Sequence, residues 1–212
     1  MSRTIVAVTA GLTQPSSTRL LTDRIVDSIH RHISRRGEDV RVEVVELREL
    51  AHDITAMTLS GFGSQRLQDV LDQVSRADAL VMVSPTFAAS YSGLFKSFVD
   101  LIDPQALTDT PVLIAATAGT ARHSLMLEHA MRPLFSYLHA QVVPTAIFAA
   151  TDDFADESLA RRIDRGAEQL VQTMLGSAAV EGFGPSSHDQ PVVTSEFDDV
   201  PDFRALLGDQ LN

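Results

Sequence analysis

Four hydroxyl residues, Thr13, Ser16, Ser17 and Thr18, crowd the segment GLTQPSSTRLL between Gly11 and Leu21, with Arg19 just behind them. The apolar run TIVAVT enters this segment and a helical pattern leaves it. Hydroxyl donors, together with the unpaired N–H groups and positive dipole end of a helix start, make a cradle for a phosphomonoester. Arg19 either points its guanidinium at the same anion or lies along the helix surface. A plainer reading also stands, in which Ser17 or Thr18 caps the helix and the rest is a turn. The segment lacks the glycines and lysine of a Walker loop and the GxGxxG of a dinucleotide fold, so those two forms of phosphate recognition are set aside.

Two later segments share this chemistry. Pro85, Thr86, Phe87 and Ala88 follow a long apolar run, then small residues lead to Ser92 and Gly93 at the start of another helix. Glycine there lets a flat ligand approach the backbone. Phe87 either packs against a planar ring or belongs to the core. Thr117, Ala118, Gly119 and Thr120 offer N–H and hydroxyl donors without acidic side chains, a lining suited to the carbonyl and ring-nitrogen edge of a heterocycle. Just beyond, Arg122 and His123 either border a nucleotide or serve the surface and the helix start.

The elements that position these segments are legible from periodicity. Apolar runs at Thr4–Thr9, Asp39–Leu47, Ala77–Pro85, Pro111–Thr117 and Val142–Phe148 predict five strands, the second alternating apolar and charged residues as an edge strand does. Leu21, Ile25, Ile29 and Ile33 recur at steps of four and predict the first helix. Leu67, Val70, Leu71 and Val74 mark the second, GLFKSFVDLI the third, SLMLEHAMRPLFSYL the fourth, and Leu159, Ile163, Leu170, Val171 and Met174 the fifth. A loop is expected from about Arg48 to Gly63, and both GFG tripeptides, at 61–63 and 182–184, read as flexible. Strands alternating with helices argue for an α/β doubly wound parallel sheet, and five strands match the flavodoxin-like order 2-1-3-4-5. Ligands of such sheets bind beyond the carboxyl ends of the strands, where all three hydroxyl-rich segments fall.

The periodic pattern stops after Leu175. Residues 1–176 are expected to form one cofactor-binding domain, and residues 177–212, with seven acidic residues against one arginine, an extended acidic tail that covers a neighbouring subunit. The formal net charge of −11 opposes nucleic-acid binding, and the cluster RHISRR ends the first helix, where cations complement the dipole. No run reaches the length of a membrane span, and there is no cysteine. A cytoplasmic protein is expected. Apolar side chains around the third and fourth helices, from Phe95 and Phe98 to Leu125–Leu138, predict self-association.

Several chemistries find no support. No GxSxG elbow, HExxH or comparable metal spacing occurs, and no carboxylate pair follows the first strand. Phosphate donors, flat small-residue walls and no acid–base pair suit a cofactor that brings its own reactivity, and flavin mononucleotide (FMN) meets all three conditions.

The stretches SPTFAASYSGLFKSFVDLID and ATAGTARHSLMLEHAMRPLFSYLHAQVVP, within a likeness spanning about Thr4 to Leu175, resemble the flavodoxin-like NAD(P)H-dependent FMN reductases, especially those that supply reduced flavin to two-component monooxygenases. The resemblance implies FMN as cofactor and NADPH or NADH as co-substrate. It places Thr13, Ser16, Ser17, Thr18 and Arg19 around the FMN phosphate, and Pro85, Thr86, Phe87 and Ala88 beside the flavin. Ser92 and Gly93 would stand near the helix start, and Thr117, Ala118, Gly119 and Thr120 at the isoalloxazine edge. No protein acid, base or metal is implied. Many relatives carry tyrosine where Phe87 stands and a second glycine where Ala118 stands. A homodimer or homotetramer and a partner flavin-dependent monooxygenase are also implied. Three alternatives are weighed beside this one: a quinone or azo-dye reductase holding FMN tightly, a flavodoxin-type electron carrier, and a binding module that has lost flavin. Carriers usually stack aromatic rings on both flavin faces, and this chain has no tryptophan and only Tyr91 and Tyr137 as tyrosines.

Overall fold

A computed structural model describes residues 3–176; the acidic tail and its expected role lie outside the described residues. β1 (Arg3–Thr9) is followed by α1 (Ser17–Ser34), β2 (Val40–Glu46), α2 (Ala51–Ser60), α3 (Gln65–Ser75), β3 (Ala79–Phe87), the two-residue β4 (Ser90–Tyr91) and α4 (Gly93–Val99). Then come β5 (Pro111–Ala118), α5 (Arg132–Tyr137), β6 (Gln141–Val142), β7 (Ile147–Ala150) and α6 (Glu157–Gly176).

The sheet runs β2-β1-β3-β5-β6, with β7 also paired parallel to β5 and β4 folded back antiparallel on β3. This is the flavodoxin-like winding. The order reads 2-1-3-5-6 rather than 2-1-3-4-5 because the short β4 takes a number and because the expected fifth strand is broken in two. Pro144 accounts for the break, since a proline contributes no N–H to a ladder. β2 lies at the edge and β1, β3 and β5 are buried along nearly all their length.

Alternation along the strands builds a core on each face. Ile5, Ala7, Val81, Val83, Leu113 and Ala115 pack under α1 and α6, where Leu21, Ile25, Ile29 and Ile33 form the buried stripe. Val6, Val8, Leu80, Met82, Val112 and Ile114 meet Leu67, Phe95, Phe98 and Phe135 on the other face. Phe95 and Phe98 are therefore core residues, which corrects the expectation that they face a second subunit. Leu125 and Tyr137 are 63 % and 75 % exposed.

Two helical expectations also change. The supposed loop before Gly63 contains α2, which buries only Ile54 completely and so leaves little apolar stripe to detect. Gly61 ends it in the left-handed region (φ 75°), donating its N–H to Met57, so this glycine is a helix stop rather than a flexible link. A 3-10 turn (Ala121–His123) leads into the expected fourth helix, which is π-helical over Leu127–Met131 and becomes α-helical only as α5. Pro133 lacks the N–H an unbroken helix would need there.

Candidate functional site

The chain reverses its winding between β1 and β3, and an open cleft of about 210 Å³ lies at that point beyond the carboxyl ends of β1, β3, β5 and β7. Three sequence-predicted segments meet there. Thr13, Ser16, Ser17 and Thr18 come from the first, Pro85, Thr86 and Phe87 from the second, and Thr117, Ala118 and Gly119 from the third. Leu12 and Thr151 complete the wall. Among the described residues, no ionisable side chain lines it.

The first wall is shaped by the start of α1. Ser16, not Ser17 or Thr18, is the N-cap, and its Oγ accepts the Arg19 N–H at 3.2 Å. The N–H groups of Ser17 and Thr18, in the first turn, have no carbonyl four residues back to bind. No acidic residue stands in that turn, so the positive dipole end faces the cleft without a protein counter-charge. Close approach is possible because residue 11 is glycine: a Cβ there would collide with Ser16 Oγ and come within 3.2 Å of the Cβ atoms of Ser16 and Thr18. The Thr18 hydroxyl has a different task. Buried at 2 % exposure, it hydrogen-bonds Thr117 Oγ1 at 2.8 Å and ties α1 to the end of β5.

Arg19 stands outside the cleft. Its guanidinium donates to Asp23 (Nε–Oδ1 2.8 Å) and to Glu46 at the end of β2 (Nη1–Oε1 2.5 Å), so it lies along the helix surface. The hydrogen bond to Asp23 and the charges of Asp23 and Glu46 outweigh partial burial and raise its pKa above the ordinary arginine value.

On the second wall Phe87 is 48 % exposed at the cleft rim, so the core reading of this ring falls. Ala88 and Ala89 form the two-residue turn into β4, both left-handed with φ of 47° and 67°. That conformation costs about 1 kcal/mol or more per non-glycine residue. Ala88 does not line the cleft. Ser92 is 1 % exposed and fully engaged: its Oγ caps α4 by accepting the Phe95 N–H (3.2 Å), and its N–H donates to Ser84 Oγ (2.9 Å). Gly93 begins α4, and Thr120 precedes the 3-10 turn at Ala121; neither reaches the cleft. Leu12 and Thr151 were missed. Thr151 follows β7 as Thr117 ends β5, so the carboxyl-end rule applied to every strand would have found it; Leu12 carries no comparable signal.

Two hydroxyls near the strand ends, Thr9 Oγ1 and Thr86 Oγ1, are buried without a hydrogen-bond partner among the described residues. Unpaired buried polar atoms are rare in folded proteins, and Thr86 belongs to the cleft wall. With the bare helix start, the Thr86 hydroxyl fits a ligand that brings acceptors of its own, as FMN does through its phosphate and ring carbonyls.

Fold and cleft together are those of a flavodoxin-like α/β protein with a site suited to a nucleotide cofactor. The family model for NADPH-dependent FMN reductases matches residues 3–155. An FMN reductase (NADPH) of Pseudomonas aeruginosa is 39 % identical over 179 residues, covering 81 % of this chain and 92 % of that protein. The NADH-dependent FMN reductase SfnE of Pseudomonas putida is 37 % identical over 172 residues, 79 % and 90 % of the two chains. Among solved structures, an oxidoreductase from Corynebacterium diphtheriae superposes with a TM-score of 0.81 at 43 % identity, over 84 % of this chain and 99 % of that one. The chain belongs to the NADPH-dependent FMN reductase family. It is an oxidoreductase that acts on FMN with NADH or NADPH as electron donor.

Proposed function

We propose that the cleft at the β1–β3 switch holds FMN with its phosphate on the start of α1 and its ring along the second and third segments, and that the reduced flavin leaves for a partner monooxygenase. One observation carries this reading: a cleft lined with hydroxyls and small residues, without any ionisable side chain among the described residues, opens onto a helix start that has no acidic residue in its first turn. FMN, when bound, supplies the redox chemistry by accepting a hydride from the nicotinamide.

The protein's part is to bind, orient and shield. Ser16 and Ser17 donate hydroxyls to the phosphate, Ser16 through the same oxygen that accepts the Arg19 N–H, and the Ser17 and Thr18 N–H groups add dipoles that cost no reorganisation. Thr13, whose hydroxyl donates to the Pro15 carbonyl at 3.0 Å, borders the phosphate end. Thr18 and Thr117, bonded to each other, fix the spacing between the phosphate end and the ring end. Phe87 at the rim offers a face for the flavin. Gly119 has no atom within 4 Å of where its Cβ would stand, which leaves the third segment open to a flat ligand. Hydride transfer needs stacked rings with reacting atoms about 3–3.5 Å apart, a demand on position rather than on proton donors.

An open cleft supports release of the product over its retention, and favours a flavin-supplying reductase above a tightly loaded quinone or azo-dye reductase. Electron carriage is not favoured, because only Phe87 offers an aromatic ring among the cleft residues. Cytoplasmic location and self-association through the exposed Leu125 and Tyr137 belong to the same proposal. The test is anaerobic mixing of the purified protein with NADPH or NADH, with and without added FMN. Bleaching of flavin absorbance by a colourless protein with added FMN is expected; a chain that bleaches flavin with neither donor has another function.

A further inference from the structure

Beside the cleft lies a second groove of about 360 Å³, and we propose that it receives the ribose 2′-phosphate of NADPH, with Arg122 as the residue that selects NADPH over NADH. The inference rests on the flavin-reductase reading and extends it to the electron donor, on which the named relatives divide.

The two depressions are neighbours by construction of the chain. Phe87 lines the cleft and Ala89, two residues later in the same tight turn, lines the groove. On the other side Gly119 lines the cleft and Arg122 the groove. Three residues span at most about 11 Å, a distance that a dinucleotide covers with its nicotinamide in one depression and its adenosine in the other. Leu125 and Met126 give the groove apolar wall, while Arg122, His123 and His129 give it nitrogen donors.

Electrostatics make Arg122 the discriminating residue. Among the described residues, no carboxylate lines the groove. Glu128, the acidic residue nearest in sequence, is held by Arg132 (Nε–Oε2 2.5 Å, Nη2–Oε1 3.0 Å). Among the described residues, no hydrogen bond or ion pair engages the Arg122 or His123 side chain, whereas Arg19, Arg48, Arg66 and Arg132 are each taken up by carboxylates. The chain as a whole carries −11 and repels NADPH, the more anionic donor, more than NADH. An unpaired guanidinium in a carboxylate-free groove reverses that bias, because its planar fork binds a phosphate bidentately and gains little from the hydroxyl that NADH has at the same place.

The test uses two probes without nicotinamide, 2′,5′-ADP and 5′-AMP, titrated calorimetrically into the full-length protein. The 2′,5′-ADP binds more tightly and competes with NADPH, and Arg122→Ala removes roughly ten- to hundredfold of that advantage. In steady-state turnover with FMN, the NADPH-to-NADH ratio of kcat/KM falls by the same factor. Arg165→Ala, on the exposed side of α6 away from both depressions, leaves the ratio unchanged. Equal binding of the two probes by the parent protein overturns the proposal, and so does an Arg122→Ala variant that loses NADPH and NADH activity in equal proportion. A protein that oxidises neither donor contradicts the reductase reading instead, and the probe titration still judges the groove.

Discussion

Gly11→Ala strikes the point on which the phosphate cradle depends. The added methyl would collide with Ser16 Oγ and crowd the Cβ atoms of Ser16 and Thr18 at 3.2 Å. Ser16 Oγ must then rotate away from the Arg19 N–H that it caps at 3.2 Å, a loss of about 1 kcal/mol. The two Cβ contacts cannot be relieved by rotation, because both atoms are fixed to the backbone and Thr18 is anchored by Thr117. Shifting the loop adds about 1 kcal/mol or more. The sum, about 2 kcal/mol, corresponds to a Tm lower by about 4–8 °C for a chain of this size. Because the displaced groups are those assigned to the phosphate, FMN affinity falls at least tenfold, about 1.4 kcal/mol. Circular-dichroism melting and quenching of flavin fluorescence measure the two effects. Ser16→Ala alone lowers Tm through the cap, and in the double variant the clash with Oγ is gone, so the two changes combine to less than their sum. A Gly11→Ala protein with unchanged Tm and FMN affinity, or strict additivity with Ser16→Ala, refutes the geometry.

The other predictions address the remaining walls and the scaffold. Gly119→Ala meets no protein atom within 4 Å and leaves Tm in place, yet weakens FMN binding because the methyl enters the space assigned to the ring; equal FMN affinity in a fluorescence titration would remove Gly119 from the site. Thr18→Val or Thr117→Val leaves one buried hydroxyl unpaired and costs about 1–3 kcal/mol, while the double variant costs less than the two together, as urea unfolding of the four proteins will measure. Asp164, between α1 and α6, is pushed up by desolvation but pulled further down by hydrogen bonds from His32 and Ser28 and by the charges of His32 and Arg31, so its folded pKa lies below its ordinary value. Its contribution is therefore complete above about pH 4 and lost as pH falls through the lowered folded pKa; urea midpoints from pH 6 down to pH 3 should fall less for Asp164→Asn than for the parent.

How far the sequence carried these conclusions depends on what each element buries. Strands β1, β3 and β5 announce themselves because both faces are covered, leaving near-continuous apolar runs, and α1 does so because four isoleucine and leucine positions recur at steps of four. α2 stayed hidden because a helix with one fully buried residue has almost no periodic signal; its Thr55, Thr58 and Ser60 hydroxyls bond back to carbonyls four residues earlier, a local arrangement no hydrophobic pattern encodes. The breaks at Pro133 and Pro144 were written in the chain as missing N–H groups, but apolar runs continuing across them masked the interruption.

The site was legible for a different reason. A doubly wound sheet sends every carboxyl-end loop to one rim, so residue type and position in the strand–helix alternation suffice to bring Thr13, Ser17, Thr86 and Gly119 together without any knowledge of packing. What type and position cannot convey is how each hydroxyl spends its hydrogen bonds. Thr18 and Ser92 belong to the same composition as Ser17, yet Thr18 is committed to Thr117 and Ser92 to a helix cap, while Ser16 spends only its acceptor on the cap of α1. Arg19 likewise satisfies the composition of an anion site while its charge is consumed by Asp23 and Glu46. The cations left over are then more informative than the cation nearest the cradle: with Arg19 neutralised beside the phosphate end, Arg122 is the unpaired guanidinium on this rim, and it stands where a donor nucleotide, not FMN, would extend.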